Sequence, residues 1–133
     1  MLVSWIATDA ELRRFSATER SSDFADLTDH FTALRSRDQG YLEVPLPGGA
    51  FPLLTLGFQD DQAVIHLFDA TEKSFLLVGD GTAAADALVH VPIVDDLAVF
   101  SGDCVLSVDR AWALVRNFIQ TGAPSELGEW REL

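Results

Sequence analysis

The chain has 133 residues, a single cysteine and a formal net charge of −12 at pH 7, and 48% of its residues are hydrophobic. This composition argues against disorder, and one cysteine excludes an internal disulfide framework. The length and composition predict a single globular domain over residues 1–133, large enough to fold without cross-links.

The start of the chain predicts a strand and two helices. Leu2–Ala7 is a candidate strand, and Thr8 with Glu11 has the spacing of a capping box, which predicts a brief helix through Phe15. A second helix is predicted over about 23–37, and Gly40 ends it. Its apolar residues recur at helical spacing: Phe24, Leu27, Phe31 and Leu34. The amino terminus has no basic leader and no cleavage site of a signal peptide.

After Gly40 the hydrophobic period changes from helical to alternating, which predicts strands. Tyr41–Leu46 is the first strand, and Pro45 suits its end because proline cannot donate to a ladder. Residues 47–49 predict a turn, and strands follow at 54–58, 63–69 and 73–79. The run 63–69 is apolar on both faces and is expected to lie centrally in the sheet. These four strands are predicted to form an antiparallel meander.

The segment 80–106 gives weaker signals. Asp80 and Gly81 predict a turn, and Thr82–Asp86 predicts a mobile surface loop. Two short apolar stretches, 88–94 and 97–100, are interpreted as edge strands or irregular packing segments. A further short strand is predicted at 103–106.

The end of the chain predicts a capped helix over about 108–121. Ser107 is expected to cap its first turn, and Gly122 with Pro124 to stop it. One stripe of this helix is apolar: Val108, Trp112, Val115, Phe118 and Ile119. A final strand is predicted at 127–132, with Trp130 in the core; the alternative for Trp130, which lies between Glu129 and Glu132, is an interface hot spot. The predicted fold is therefore α+β, a mainly antiparallel sheet of about five to seven strands with both helices packed on it.

Negative charge is concentrated in the middle of the chain. Residues 59–109 hold ten acids against Lys73 alone: Asp60, Asp61, Asp69, Glu72, Asp80, Asp86, Asp95, Asp96, Asp103 and Asp109. Such a surface repels phosphate backbones, so nucleic-acid binding is disfavoured, and it attracts a cationic partner. The alternative is that acids in turns keep a hydrophobic domain soluble. The residues expected to form a binding surface are Asp60, Asp61, Asp69, Glu72, Asp80, Asp95 and Asp96.

The sequence offers few groups for catalysis or metal binding. His66 and His90 have apolar neighbours in predicted strands, where packed or sheet-surface histidines are more common than catalytic bases. His30 is expected to be solvated on the first helix, and Cys104 to be a small buried hydrophobic residue. With no cysteine–histidine cluster, calcium loop or phosphate loop in the sequence, no catalytic residue, metal or cofactor is predicted.

The carboxyl-terminal segment resembles the type-one immunity proteins of bacterial polymorphic toxin systems. The matching residues are Ser107, Ala111, Phe118, Thr121-Gly122-x-Pro124 and Trp130, with a weaker match in Phe75–Gly81 (FLLVGDG). The resemblance implies a small cytoplasmic inhibitor without catalytic residues that binds one toxin. It names a zinc-dependent, nucleic-acid-attacking deaminase as the first candidate. The expected partner is therefore a cognate toxin domain with a basic substrate groove, bound by a monomer as a 1:1 heterodimer and away from membranes.

Two other functional classes stay open. A small hydrolase would use His66 or His90. An adaptor or secretion chaperone for an effector would share the acidity and the lack of catalytic groups. By analogy such chaperones are commonly dimers, so a monomeric mass would count against this class.

Overall fold

The computed structural model describes residues 2–46 and 49–133. It contains two α-helices, α1 (Phe24–Arg35) and α2 (Val108–Thr121). The strands are β1 (Val3–Thr8), β2 (Phe15–Ser22), β3 (Gln39–Pro45), β4 (Leu53–Gln59), β5 (Gln62–Phe68), β6 (Ser74–Leu77), β7 (Leu88–Ile93), β8 (Asp96–Ser101) and β9 (Trp130–Glu132). Seven of them form one antiparallel sheet in the order β2-β1-β3-β4-β5-β6-β9, and β7 and β8 form a separate hairpin. The α+β prediction with two sheet-packed helices is confirmed.

The α2 helix begins and ends as predicted, and α1 begins as predicted. The prediction that Gly40 ends α1 is wrong: α1 ends at Arg35, the chain turns at Asp38 with φ +60°, and Gly40 is the second residue of β3. The Asp23 carboxylate accepts from the backbone N–H of Asp26 at 2.9 Å, which caps α1. Ser107 caps α2 by accepting from the Arg110 N–H at 3.2 Å. Gly122 adopts φ +64° and donates its N–H to the Phe118 carbonyl, which closes the last turn of α2.

The sheet has a helix layer on one face and the β7–β8 hairpin on the other. Alternate residues of β4 and β5 join the main core beneath α1 and α2: Leu54, Leu56, Phe58, Ala63, Ile65 and Leu67. Between them, Val64 points to the opposite face and packs with Val89, Val91 and Val105. The hairpin lies so close that a Cβ on Gly57 would be 2.2 Å from the Pro92 carbonyl oxygen.

The two helices contact each other through aromatic rings. Trp112 of α2 stacks on Phe31 of α1 with ring centroids 4.2 Å apart, and Phe24 of α1 also stacks on it, with centroids 5.8 Å apart. The predicted α2 stripe is buried except for Trp112, which is half-buried because it forms this contact at the edge of the core.

The predicted meander is confirmed as β3-β4-β5-β6. Pro45 is the last residue of β3, and β5 is an interior strand covered on both faces. The turn predicted at 47–49 falls partly on Pro47 and Gly48, which lie outside the described residues. The loop predicted at 82–86 lies at the surface, with Ala84 against Gly102.

The helix predicted at 8–15 is wrong. The Asp9 carboxylate instead accepts from the N–H groups of Glu11 and Leu12, both at 2.9 Å, and closes a turn into β2. The Thr8 hydroxyl accepts from the Tyr41 N–H at 3.0 Å, so it ties β1 to β3 and caps no helix. The prediction missed β2 because this edge strand, FSATERSS, is polar and mostly exposed and shows no apolar alternation.

Two further strand predictions need correction. Residues 102–104 form a 3-10 turn, and 106 makes only an isolated bridge with Ala63, so 103–106 is not a strand. The last strand begins at Trp130, after a second 3-10 turn over Pro124–Glu126. Trp130 is half-buried against the core, and its indole N–H donates to the Pro124 carbonyl at 2.9 Å.

Candidate interaction surface

Five of the seven acids proposed for binding lie at one end of the sheet. This acidic end comprises the turns between β1 and β2, α1 and β3, and β4 and β5, together with the start of α2 and the tip of the hairpin. Asp60 and Asp61 occupy the β4–β5 turn, and the Asp60 N–H donates to the Asp38 carbonyl at 2.7 Å. Asp95 and Asp96 lie at the hairpin tip, where the Asp95 carboxylate accepts from the Phe15 N–H at 2.6 Å.

The start of α2 gathers carboxylates from two separate segments of the chain. Asp61 accepts from the Val108 N–H and Asp80 from the Ser107 N–H, both at 3.2 Å. The peptide dipoles of the helix favour negative charge at this terminus. Although burial opposes ionisation of Asp80, hydrogen bonds from Thr82 and Ser107 hold its pKa below the ordinary value. These carboxylates therefore stabilise the helix as well as contribute charge.

Asp69 and Glu72 lie at the opposite end of the sheet. They occupy the β5–β6 turn, where the Asp69 carboxylate accepts from the hydroxyl and N–H of Thr71 and from the Lys73 N–H. The hydrogen bond from the Thr71 hydroxyl is the main reason that the pKa of Asp69 is lowered. The structure thus does not bring all seven acids together. Strand β5 separates the two turns, so Asp69 and Glu72 lie at one end of the sheet and the other five acids at the opposite end.

The acidic end also carries basic side chains. Arg35 forms an exposed ion pair with Asp109, which lowers the pKa of that carboxyl. Arg13 and Arg37 line a small cavity of about 70 Å³ between the β1–β2 turn, the α1–β3 turn and Asp95. The cavity holds charges of both signs and is far smaller than a drug-sized ligand site. Arg35 reaches the start of α2 and Arg110 lies exposed in its first turn, so this end of the sheet has an excess of acids without being purely negative.

The outer face of the hairpin is apolar and exposed, a feature that the sequence analysis did not identify. Among the described residues, eight large hydrophobic side chains are exposed, and four belong to the β7–β8 hairpin: Leu88, Val94, Leu97 and Val99. In the sequence, both strands are apolar at consecutive positions and not only at every second one. That pattern is typical of a strand covered on both faces, and only one face of this hairpin is covered.

The histidines have three different environments. His66 is 8% exposed, lies edge-on to Phe100 with ring centroids 5.4 Å apart, and has its pKa lowered by burial to about 4. His90 is exposed on the outer face of the hairpin. The expectation that His30 is solvated is wrong, because its Nε2 lies 2.8 Å from the Thr8 carbonyl oxygen and its ring packs on Trp5.

The remaining candidate groups have structural surroundings. Cys104 is buried as expected, and desolvation, with the nearby Asp103 charge, raises the pKa of its thiol. Across residues 2–46 and 49–133, no group of three His, Cys, Asp or Glu side chains is placed to hold a metal ion. In the same residues, neither helix has the length and apolar character that a membrane crossing requires.

Comparison with known proteins finds no family model that matches the chain and no curated protein whose sequence matches it. The function is therefore proposed from the geometry of this surface and from the resemblance in residues 107–130.

Proposed function

We propose that this chain is an immunity protein that binds a cognate bacterial toxin and covers its active site. The toxin is a nucleic-acid-targeting enzyme of the deaminase type, and the two proteins form a 1:1 complex in the cytoplasm. The observation that carries this proposal is the common location of Asp60, Asp61, Asp80, Asp95 and Asp96 at one end of the sheet.

The mechanism is obstruction. An enzyme that acts on nucleic acid needs a basic groove for phosphates, and carboxylates of the acidic end occupy that groove in their place. A deaminase brings its target base to a zinc-activated water in a closed pocket, so an inhibitor needs only to block access to that pocket. The immunity protein supplies neither a metal ligand nor a catalytic group to this process.

The acids divide into those that support the fold and those that carry charge. Asp61, Asp80 and Asp95 accept hydrogen bonds from backbone N–H groups, so substituting them alters local structure as well as charge. Asp60 and Asp96 are exposed turn and strand-end residues outside those capping bonds. They are therefore the cleaner probes of electrostatic attraction.

The direct test is complex formation with the toxin domain encoded by the neighbouring reading frame. Both purified proteins are mixed at low salt and separated by size exclusion, and toxin activity is titrated with the immunity protein. We expect a 1:1 complex and loss of activity at equimolar ratio. Absence of a complex, or absence of such a toxin, overturns the proposal.

Charge variants test the electrostatic step separately. The double variant Asp60→Asn/Asp96→Asn should slow association by roughly tenfold at low salt and reduce the dependence of the association rate on salt. Glu72→Gln is the control at the opposite end of the sheet; it removes one charge, so its effect is compared with half the effect of the double variant on a logarithmic scale. An equal effect of the control would refute the assignment of the acidic end.

A small hydrolase is the second candidate, favoured by one observation. Within the described residues, the Nδ1 of His66 and the hydroxyl of Thr55 are buried without hydrogen-bond partners, on adjacent strands paired in register. Buried polar atoms without partners are uncommon and require an explanation. Variants His66→Gln and His90→Ala separate the two classes, because they leave toxin protection intact in an immunity protein and abolish turnover in a hydrolase.

A secretion chaperone for an effector differs in assembly and in outcome. Sedimentation of the purified chain should give a monomeric mass if it is an immunity protein. A stable dimer that binds the effector without reducing its activity would favour the chaperone.

A further inference from the structure

The β7–β8 hairpin carries an apolar outer face that its own fold leaves uncovered. Leu88 is 73% exposed, Val99 53% and Leu97 52%. Val99 is paired in register with His90, and Leu97 with Pro92, so these side chains stand along one surface of a two-stranded sheet. Contiguous exposed apolar patches on a monomer mark interaction sites more often than accidents of packing.

Packing within the chain explains why the inner face of the hairpin is apolar, and it does not explain why the outer face is. Val89 and Val91 are 4% and 0% exposed and pack against Val64 and Val105 on the main sheet. The Pro92 carbonyl lies directly over Gly57, which places the hairpin firmly on that face. The outer residues contribute nothing to this core, so the fold gives no reason for them to be leucine and valine.

Charge around this face indicates what covers it. Three exposed acids lie in or next to the hairpin, Asp86, Asp95 and Asp96, and residues 88–101 contain no lysine or arginine. Asp95 and Asp96 lie at the tip of the hairpin and Asp86 lies before its base, where Asp103 is ion-paired with Arg131 at 2.8 Å. An apolar centre inside a charged rim is the usual anatomy of a protein interface, and the sign of the rim selects a partner of opposite charge.

We propose that the outer face of the β7–β8 hairpin is the apolar centre of the docking surface and is covered by the cationic surface of the toxin. This inference rests on the proposed function and adds a location to it. The acids at the tip steer the encounter, and Leu88, Leu97 and Val99 are desolvated in the complex and slow its dissociation. His90 lies among them as a polar group within the interface.

A second copy of the chain does not fit this face. A two-fold interface would bring Asp86, Asp95 and Asp96 of both copies together, and none of these three carboxylates forms an ion pair within the described residues. The occupant must therefore bring positive charge of its own, which the substrate groove of a nucleic-acid-targeting toxin provides.

The test compares polar substitutions of exposed apolar residues on and off the hairpin. Leu97→Gln/Val99→Thr should weaken binding to the purified neighbouring toxin domain by roughly tenfold or more, mainly through faster dissociation. The control is Leu2→Gln, which substitutes a leucine that is 68% exposed and directly precedes β1. Unfolding curves of all variants establish that each is folded.

Hydrogen exchange of the wild-type chain supplies a measurement that depends on no variant. Residues 88–101 should gain protection when the toxin domain binds. If the wild type binds but neither the variants nor the exchange pattern implicates this segment, the hairpin assignment is wrong and the proposed function survives. If the wild type does not bind, the proposed function fails and this inference fails with it. A concentration-dependent dimer of the wild type that Leu97→Gln/Val99→Thr abolishes would identify a second copy as the occupant and overturn the proposal.

Discussion

Gly57 controls the position of the hairpin, and Gly57→Ala should displace it. The added methyl group would lie 2.2 Å from the Pro92 carbonyl oxygen, whereas ordinary contacts begin near 3.4 Å. The hairpin and the sheet must therefore separate by about 1 Å at this point, in a core that is already closely packed. Adding atoms to a well-packed core typically costs about 1–3 kcal/mol.

The displacement should be visible in both stability and binding. We expect the free energy of unfolding to fall by about 1–3 kcal/mol, with a melting temperature lower by roughly 4–12 °C. Toxin affinity should also fall, although Gly57 is buried beneath the hairpin and touches no partner, because the outer face moves with its strand. Thermal unfolding, hydrogen exchange over residues 88–101 and a binding titration measure the three effects.

Gly49→Ala is the matched control for this experiment. A Cβ at Gly49 would lie 3.6 Å from the nearest atom, an ordinary contact, so the variant should unfold like the wild type. If Gly57→Ala matches the wild type in stability and in protection of the hairpin, the close contact with Pro92 does not hold the hairpin in place and the reasoning is wrong.

Two other predictions concern the helix cap and the buried histidine. Ser107→Ala should lower the free energy of unfolding by about 1 kcal/mol in urea titrations, because the Arg110 N–H loses its acceptor; an unchanged midpoint would contradict the role of this cap. Burial lowers the pKa of His66 to about 4 in the folded chain, whereas its pKa in the unfolded chain is about 6.5. The contribution of His66 to the free energy of unfolding is therefore complete above about pH 6.5. It falls by on the order of 3 kcal/mol as the pH drops toward 4. His66→Leu should flatten this dependence in urea titrations across that range, and the exposed-site control His90→Leu should retain it; equal slopes for the two variants would refute the assignment.

Local signals in the sequence were sufficient for the helices and the central meander. The α2 helix has a capping serine, an apolar stripe and a terminal glycine, and each of these acts within a few residues. Interior strands such as β5 are recognisable because both of their faces are apolar. The edge strand β2 was missed because its residues face water and show no pattern that distinguishes a strand from a loop.

The arrangement of the surface depends on contacts between distant residues. Asp61 and Asp80 meet at the start of α2 although they are 19 positions apart in the sequence, whereas Asp69 lies at the other end of the sheet although it is closer to Asp61 in the sequence. The length of β5 determines this division, and charge density along the chain does not reveal it. The hairpin's position on the face opposite the helices is likewise set by Gly57 and Pro92, which are 35 positions apart in the sequence.

The measurement that tests obstruction most directly is a competition between this chain and nucleic acid for the toxin. A catalytically inactive toxin domain is bound to a labelled oligonucleotide, and increasing amounts of the immunity protein are added at a fixed salt concentration. Obstruction predicts that the oligonucleotide is released completely at one equivalent of immunity protein. A stable ternary complex, in which the oligonucleotide stays bound while the immunity protein binds elsewhere, would contradict the account.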